Sequence, residues 1–416
     1  MSESLNPPAD SSGIQTINVL PGGIESALEK LRKNGLVHDR TSADKPNKGG
    51  IRATLSNMII LARDNGEEDL IRILAENHPS RFFIVNYNNS LGEDLTTSIT
   101  QRAVRGASGI PVKTEEIHIR VTPDSVKLVK NLVLSNLIPD IETITITTGT
   151  PGDNQREALL RESLLSISDT FIGSVGDLLD NYSSESVLSK ESEASVVRKL
   201  DCYPLFFPRI ARWCDLISEQ FDSEEARKNL SNLSNVNIYY KPLNDSSSIP
   251  DEPVLMAVWI LKSLNLKPTG VVSSGTDDGV TVVSTSGIKN QSGNGLSNEY
   301  SLPEEVLLSF RPVKKISLSN ISSVSFEMNS GKNVSYVLTC SYLHSISAIE
   351  VSSGGFGESS DSTDAAIGEV CEFYVRRLPV QEISPAESAI QLIRGNGRRE
   401  IIGEISELKS VLRQVL

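Results

Sequence analysis

The stretch from Ile51 to Tyr87 constrains this chain more than any other, because it reads as strand, helix and strand in one short run. Asn57 to Ala62 is an apolar run of strand length, Glu67 to Asn77 starts acidic and carries apolar residues at helical spacing, and Phe82 to Tyr87 is a second apolar run. The unit is βαβ-like, with the tetrapeptide His78-Pro79-Ser80-Arg81 between helix and second strand. A first strand-to-helix turn is where α/β proteins place their phosphate-binding glycines. Here it reads Arg63-Asp64-Asn65-Gly66, with neither a glycine-rich fingerprint nor a Walker lysine. The pattern predicts an α/β architecture without that architecture's usual nucleotide signature.

With 416 residues, 38% of them hydrophobic, the chain can bury more than one core, since single cores stop growing beyond roughly 250–300 residues. Two domains are expected. Forty Lys and Arg against 53 Asp and Glu give a formal charge of -13, which repels phosphate backbones and anionic membranes unless a local basic patch overrides it. The densest basic clusters are only the pairs Arg376-Arg377 and Arg398-Arg399. The segment Met1 to Ser12 lacks a basic and apolar leader, and the runs Met58 to Ala62 and Val254 to Leu261 fall short of the ~20 residues a membrane span needs. A cytoplasmic protein with neither nucleic-acid nor membrane partner is expected. Four cysteines, none in a C-x-x-C pair, argue against a disulfide framework and a zinc ribbon.

Along the chain, residues 1–50 hold a helix, Ile24 to Lys33, and a polar linker from Asp39 to Gly50. Residues 51–182 form an α/β domain. Its further strands are Leu95 to Val104, Glu115 to Val121, Ile141 to Thr148 and Thr170 to Val175. Between them lie a helix with Thr122 as N-cap and Pro123 at its first position, and a helix from Gln155 to Leu165. Residues 183–416 read as an α+β domain with an antiparallel sheet: a helix carrying Trp213, a strand at Val236 to Tyr240, a helix opened by Asp251 and Pro253, and at least four strands between Gly279 and Val351 without helices between them. A segment near 352–364 is too poor in apolar side chains to pack and is expected to be a disordered loop. Helical stretches follow at Pro385 to Ile393 and Arg399 to Val415.

Chemistry-bearing motifs are scarce. His38, His78, His118 and His344 occur in no metal-ligand spacing, and no G-x-S-x-G is present. Gly293-Asn294-Gly295 and Gly395-Asn396-Gly397 lack the third glycine of a dinucleotide fingerprint and read as turns; Asp277-Asp278-Gly279 reads as a hairpin turn. No catalytic residue, cofactor or metal ligand is indicated. His78-Pro79-Ser80-Arg81 has two readings. Pro79 ends a helix and Arg81 starts a strand in one; an exposed His and Arg bind an anion or a partner's carboxylate in the other. Trp213 and Trp259 sit among aliphatic neighbours as core residues do, although an exposed Trp is a natural partner anchor. The candidate partner-binding residues are His78, Arg81, Trp213, Arg376 and Arg377.

Arg52 to Ile60, then Glu76-Asn77-His78-Pro79-Ser80-Arg81 before an apolar strand, resembles the amino-terminal half of the OpcA-type glucose-6-phosphate dehydrogenase assembly proteins. Further similarities follow in order: Leu132 to Ile146, Trp213-Cys214-Asp215-Leu216-Ile217 with Phe221-Asp222, Leu255 to Trp259, and the Arg-Arg-Leu-Pro strand before the last helices. Upstream of Trp213 the chain departs from the family, with Asp201 to Pro208 in place of a closely spaced aromatic and Arg. Cys371 stands alone where some photosynthetic members carry neighbouring cysteines, so thiol switching is not carried over. The resemblance implies an auxiliary protein rather than an enzyme, one that binds glucose-6-phosphate dehydrogenase, favours its active oligomer and supports the oxidative pentose phosphate pathway. The alternative is an α/β enzyme or binding protein for a small phosphorylated metabolite, with Arg81 and strand-end groups forming the pocket. A scaffold for another cytosolic protein is a third.

Overall fold

The computed structural model of the protein describes residues 14–34, 54–62, 68–87, 95–105, 111–122, 125–148, 155–181, 200–242, 249–274, 279–286, 305–313, 320–330, 333–343, 348–356, 370–379 and 383–396. Two compact units divide the chain: Met1–Leu205 with Ser384–Gly397, and Phe206–Ile383 with Arg398–Leu416.

The first unit is built on an eight-stranded sheet. Its strands are β1 (Ile14–Val19), β2 (Asn57–Ala62), β3 (Arg81–Tyr87), β4 (Thr96–Arg105), β5 (Pro111–Val121), β6 (Thr143–Thr147), β7 (Thr170–Gly173) and β8 (Asp201–Pro204), in the spatial order β1-β4-β5-β3-β2-β6-β7-β8. From β5 to β8 all pairings are parallel, while β1 and β4 extend the sheet antiparallel. The six parallel strands run 3-2-1-4-5-6 counted from β2, which is the doubly wound order, and its topological switch point lies between β2 and β6. Phe83 and Val85, and Phe82 and Ile84 on the opposite face, are all buried, as a sheet covered on both sides requires.

One face packs under α1 (Ile24–Asn34), α3 (Val126–Asn136) and α4 (Gln155–Leu165), whose buried residues Leu28, Val129 and Leu160 share a cluster with Ile59, Phe83 and Ile117. The helix α2 (Glu68–Asn77) buries Leu70, Ile71, Leu74 and Ala75 and packs against α9 (Pro385–Gln391), a late segment that returns to this unit. A capping box fixes the start of α9, with Ser384 accepting from the Glu387 backbone N–H and Glu387 accepting from that of Ser384. The Ser388 hydroxyl anchors its buried side by donating to the Leu205 carbonyl at 2.6 Å. A short helix, α5 (Val175–Asn181), follows β7.

The second unit holds a second eight-stranded sheet: β9 (Leu233–Tyr240), β10 (Leu266–Ser274), β11 (Gly279–Ser286), β12 (Glu305–Pro312), β13 (Ile321–Ser330), β14 (Asn333–Leu343), β15 (Ala348–Phe356) and β16 (Val370–Pro379). Spatially they run β10-β11-β12-β9-β13-β14-β15-β16. The pairs are antiparallel except β12 with β9. Val236, Ile238, Phe310, Val324, Phe326 and Leu338 are buried, and so are Trp213 and Leu216 of α6 (Phe207–Gln220) and Val254 to Leu261 of α8 (Asp251–Ser263). A short α7 (Glu224–Asn229) precedes β9, capped by Ser223. Alternate residues carry a polar ladder across the three central strands. Arg311 donates to Asn237, Asn237 to Glu327 at 2.8 Å, and Asn235 to Glu327 at 3.0 Å.

An α/β first part and a largely antiparallel α+β second part stand as expected. Several details differ. The first unit runs past residue 182, because β8 pairs with β7, and it recovers α9. The N-cap of α3 is Ser125 and not Thr122; the Ser125 hydroxyl instead accepts the Thr122 backbone N–H, a local turn that ends before the helix begins. Ser352 to Phe356 of the expected disordered loop continue β15 and pair with β16. The rest of that loop, the linker from Asp39, the Gly293-Asn294-Gly295 turn and the stretch from Arg399 lie outside the described residues.

Candidate functional site

A doubly wound sheet offers a ligand the crevice beyond the carboxyl ends of its strands, at the switch point. A depression lies there, lined by Leu61, Ala62, Val85, Tyr87, Thr147, Glu157, Leu160, Arg161 and Asp177. Its polar floor is the chain's own: Thr147, ending β6, donates to the Asp177 carboxylate at 2.7 Å, and Arg161 of α4 forms an ion pair with the same carboxylate. Asp177 is 2% exposed and Arg161 9%. The Asp177 backbone N–H is in turn accepted by the Ser174 hydroxyl at 3.1 Å. Gly173 closes β7 beside this cluster, where a Cβ would stand 2.5 Å from the Phe171 ring and 2.7 Å from the Thr147 hydroxyl, so the close approach requires glycine. Water-sized space in the depression amounts to about 30 Å³.

The residues singled out from sequence gather elsewhere. His78 and Arg81 sit at the amino ends of the strands, opposite the switch point, since Arg81 pairs with Asn57 at the start of β2 and with Glu115 in β5. Arg81 is 4% exposed and fully engaged: Nε and Nη2 donate to Glu115 at 3.0 and 2.8 Å, and Nη1 donates to the Asn136 carbonyl at 2.7 Å. Arg32 of α1 shares the Glu115 carboxylate at 2.8 Å, which holds the Arg32 guanidinium above its ordinary pKa. The pocket imagined around Arg81 for a phosphorylated metabolite is therefore an internal ion cluster that ties α1 and α3 to the sheet. His78 faces the buried hydroxyls of Ser56 and Ser80, with its Nε2 3.2 Å from the Ser56 Oγ. Burial holds its pKa below 6.5, with Arg394 acting in the same direction and Glu142 against it.

Glu116, the next residue of β5 and so on its other face, belongs to a second cluster with Arg102 and His118. Burial alone would raise the Glu116 carboxyl, but hydrogen bonds from His118 and Arg102 outweigh it and hold the group below 4.5. Trp213 is 1% exposed and belongs to the core of the second unit. Only Arg376 and Arg377 face solvent substantially, on β16 at the edge of the second sheet, paired with Glu219 and Glu350 respectively. Among the described residues no group of His, Cys, Asp and Glu is arranged to hold a metal ion, and no helix is long and apolar enough to cross a membrane. Cys202, Cys214 and Cys340 are buried and in no disulfide, and burial pushes the Cys340 thiol up to about 12.

The His78 shift has a measurable consequence. Its folded pKa lies below its unfolded value, so the unfolded chain binds the proton first and stability rises with pH across that interval. Stability is expected to be full above 6.5 and to fall as pH drops below it, by at most about 1.4 kcal/mol per pH unit. Urea unfolding between pH 7 and 5 should show a shallower loss for His78→Gln; an equal loss in the variant would assign the acid sensitivity to other groups.

No family model and no curated protein sequence matches the chain. Solved structures do. Glucose-6-phosphate 1-dehydrogenase from Mycobacterium avium is similar at 10% identity and a TM-score of 0.47, over 86% of this chain and 92% of that one. A 3-ketoreductase from Actinomadura kijaniata, solved with NADP, is similar at 12% identity and a TM-score of 0.43, over 87% and 97%. Biliverdin reductase from Synechocystis, solved with biliverdin and NADP+, is similar at 8% identity and a TM-score of 0.41, over 87% and 99%. At such identities the likeness is one of fold alone. It corrects one expectation: the scarcity of motifs and the family resemblance led to an auxiliary protein that is not an enzyme, whereas these similar structures are of oxidoreductases, and that exclusion is withdrawn.

Proposed function

We propose that this chain binds glucose-6-phosphate dehydrogenase and favours the enzyme's active oligomer. The observation that carries the reading is the ordered series of sequence similarities from Arg52 to the Arg-Arg-Leu-Pro strand of β16. Activation of this kind is linkage: a protein that binds one quaternary state better than another shifts the population toward it by its differential affinity.

Of the five candidate contact residues, the geometry favours Arg376 and Arg377. Their side chains are 41% and 59% exposed, and they stand on an edge strand. Surface ion pairs of this kind are worth roughly 0–1 kcal/mol, so either guanidinium can exchange its internal carboxylate for a partner's at little cost. Arg81 and Trp213 are buried by the contacts given above and His78 is half-buried against Ser56, so the proposed contact does not rest on them.

The test mixes the two purified proteins from one organism and measures particle mass together with glucose 6-phosphate saturation curves. A complex of fixed stoichiometry and a changed saturation curve are expected. Arg376→Ala with Arg377→Ala should weaken the complex about tenfold or more, as the loss of an arginine anchor does, at unchanged melting temperature. No complex and unchanged kinetics, with both proteins folded, would remove the reading.

A further inference from the structure

The order of the six parallel strands implies a dinucleotide across the switch point, and the residues there do not fit one. We infer that this crevice is closed by the chain's own side chains and binds no nicotinamide dinucleotide. Three independent features carry the inference.

The first is charge. A dinucleotide's pyrophosphate sits on backbone N–H groups at the start of the helix after the first strand, where glycines let it approach and the helix dipole favours it. In this chain the segment from Arg63 to Asp69 contains one glycine and the four carboxylates Asp64, Glu67, Glu68 and Asp69 against the single cation Arg63. The described part bears this out in space. Glu68 and Asp69 form the first turn of α2, and Glu68 is drawn to Arg102 at 3.3 Å.

The second is the ribose position. The doubly wound fold uses a carboxylate at the end of its second strand to accept from the ribose hydroxyls, or an arginine nearby for a 2′-phosphate. β3 ends in Asn86-Tyr87 and is followed by Asn88-Asn89, with no acidic or basic side chain among them.

The third is closure. Thr147, Arg161 and Asp177 join β6, α4 and α5 across the place where the two halves of such a ligand would meet, and Gly173 brings β7 up to the Thr147 hydroxyl. A ligand entering there would have to separate a buried ion pair.

The inference rests on the fold and its residues and not on the dehydrogenase-binding reading; it holds or fails whether or not that complex forms. NADP+, NADPH and NAD+ are titrated into the full chain by calorimetry, and the same samples are melted with about 1 mM nucleotide, a hundredfold excess over a 10 µM Kd and enough to raise a melting temperature by several degrees. No heat and no shift are expected. Micromolar binding of any of the three overturns the inference. Closure has its own readout: Asp177→Asn and Thr147→Val should each melt several degrees below the parent chain, and melting at the parent temperature in both would show that the cluster does not hold the crevice shut.

Discussion

Replacing Glu115 by Ala is expected to destabilise the first unit by about 3–5 kcal/mol, the usual cost of leaving a buried charge without its partner. Glu115 is the shared acceptor of Arg81 and Arg32. The side chain of Arg32 is 23% exposed and can rehydrate, whereas that of Arg81 is 5% exposed and cannot. Arg81→Met combined with Glu115→Leu should recover much of the loss, since an apolar pair of similar volume needs no mutual neutralisation. The Asn136 carbonyl, which accepts from Arg81 at 2.7 Å, sets a limit on that recovery. Both tryptophans, Trp213 and Trp259, lie in the second unit, so unfolding of the first is followed by far-ultraviolet circular dichroism against a fluorescence trace that reports the second alone. A first transition unmoved in Glu115→Ala, with dehydrogenase binding lost, would return Arg81 to the role of a partner contact.

Much of the first unit could be read locally, and the reasons are physical. β2, α2 and β3 carry their signals in consecutive residues: apolar runs for strands buried on both faces, and Leu70, Ile71 and Leu74 at helical spacing. What could not be read depends on separation along the chain. Nothing local in Asp201 to Pro204 says that it extends a parallel sheet, and nothing in Ser384 to Asn396 says that it returns to the first unit. The parallel pairing of β12 with β9 joins strands far apart in sequence, inside a sheet whose other neighbours are antiparallel. The helix α5 is seven residues long, too short to show a stripe.

The candidate site was the least legible part. His78 and Arg81 drew notice because charged residues beside a proline look exposed, and register places both at the amino ends of the strands, where the buried Glu115 absorbs the arginine. Arg161 and Asp177 went unnoticed because an ion pair that spans α4 and α5 has no spacing rule. The one signal available was Gly173-Ser174 at the end of a strand: a glycine for close approach and a hydroxyl to accept from the next turn.

Trp213→Ala is expected to lower the stability of the second unit by about 3–5 kcal/mol, as truncations of fully buried aromatic side chains do. Trp213 is the largest fully buried side chain among the described residues, and it stands on the same helix as the buried Ile210, Leu216 and Ile217. The neighbouring α8 is buried along nearly its whole length, so it is already packed on its other sides and can fill the space only in part. Trp259 remains as the fluorescent reporter, so the shift is read directly from the second transition while the first stays in place. A partner anchor would behave in the opposite way. Removing it would leave the melting curve unchanged and abolish binding, because an anchor's energy is realised only in the complex. At 1% exposure Trp213 has no surface left to present. Below the lowered transition the variant should therefore bind the dehydrogenase with the parent affinity, and a folded variant that no longer binds would overturn the assignment of this side chain to the core.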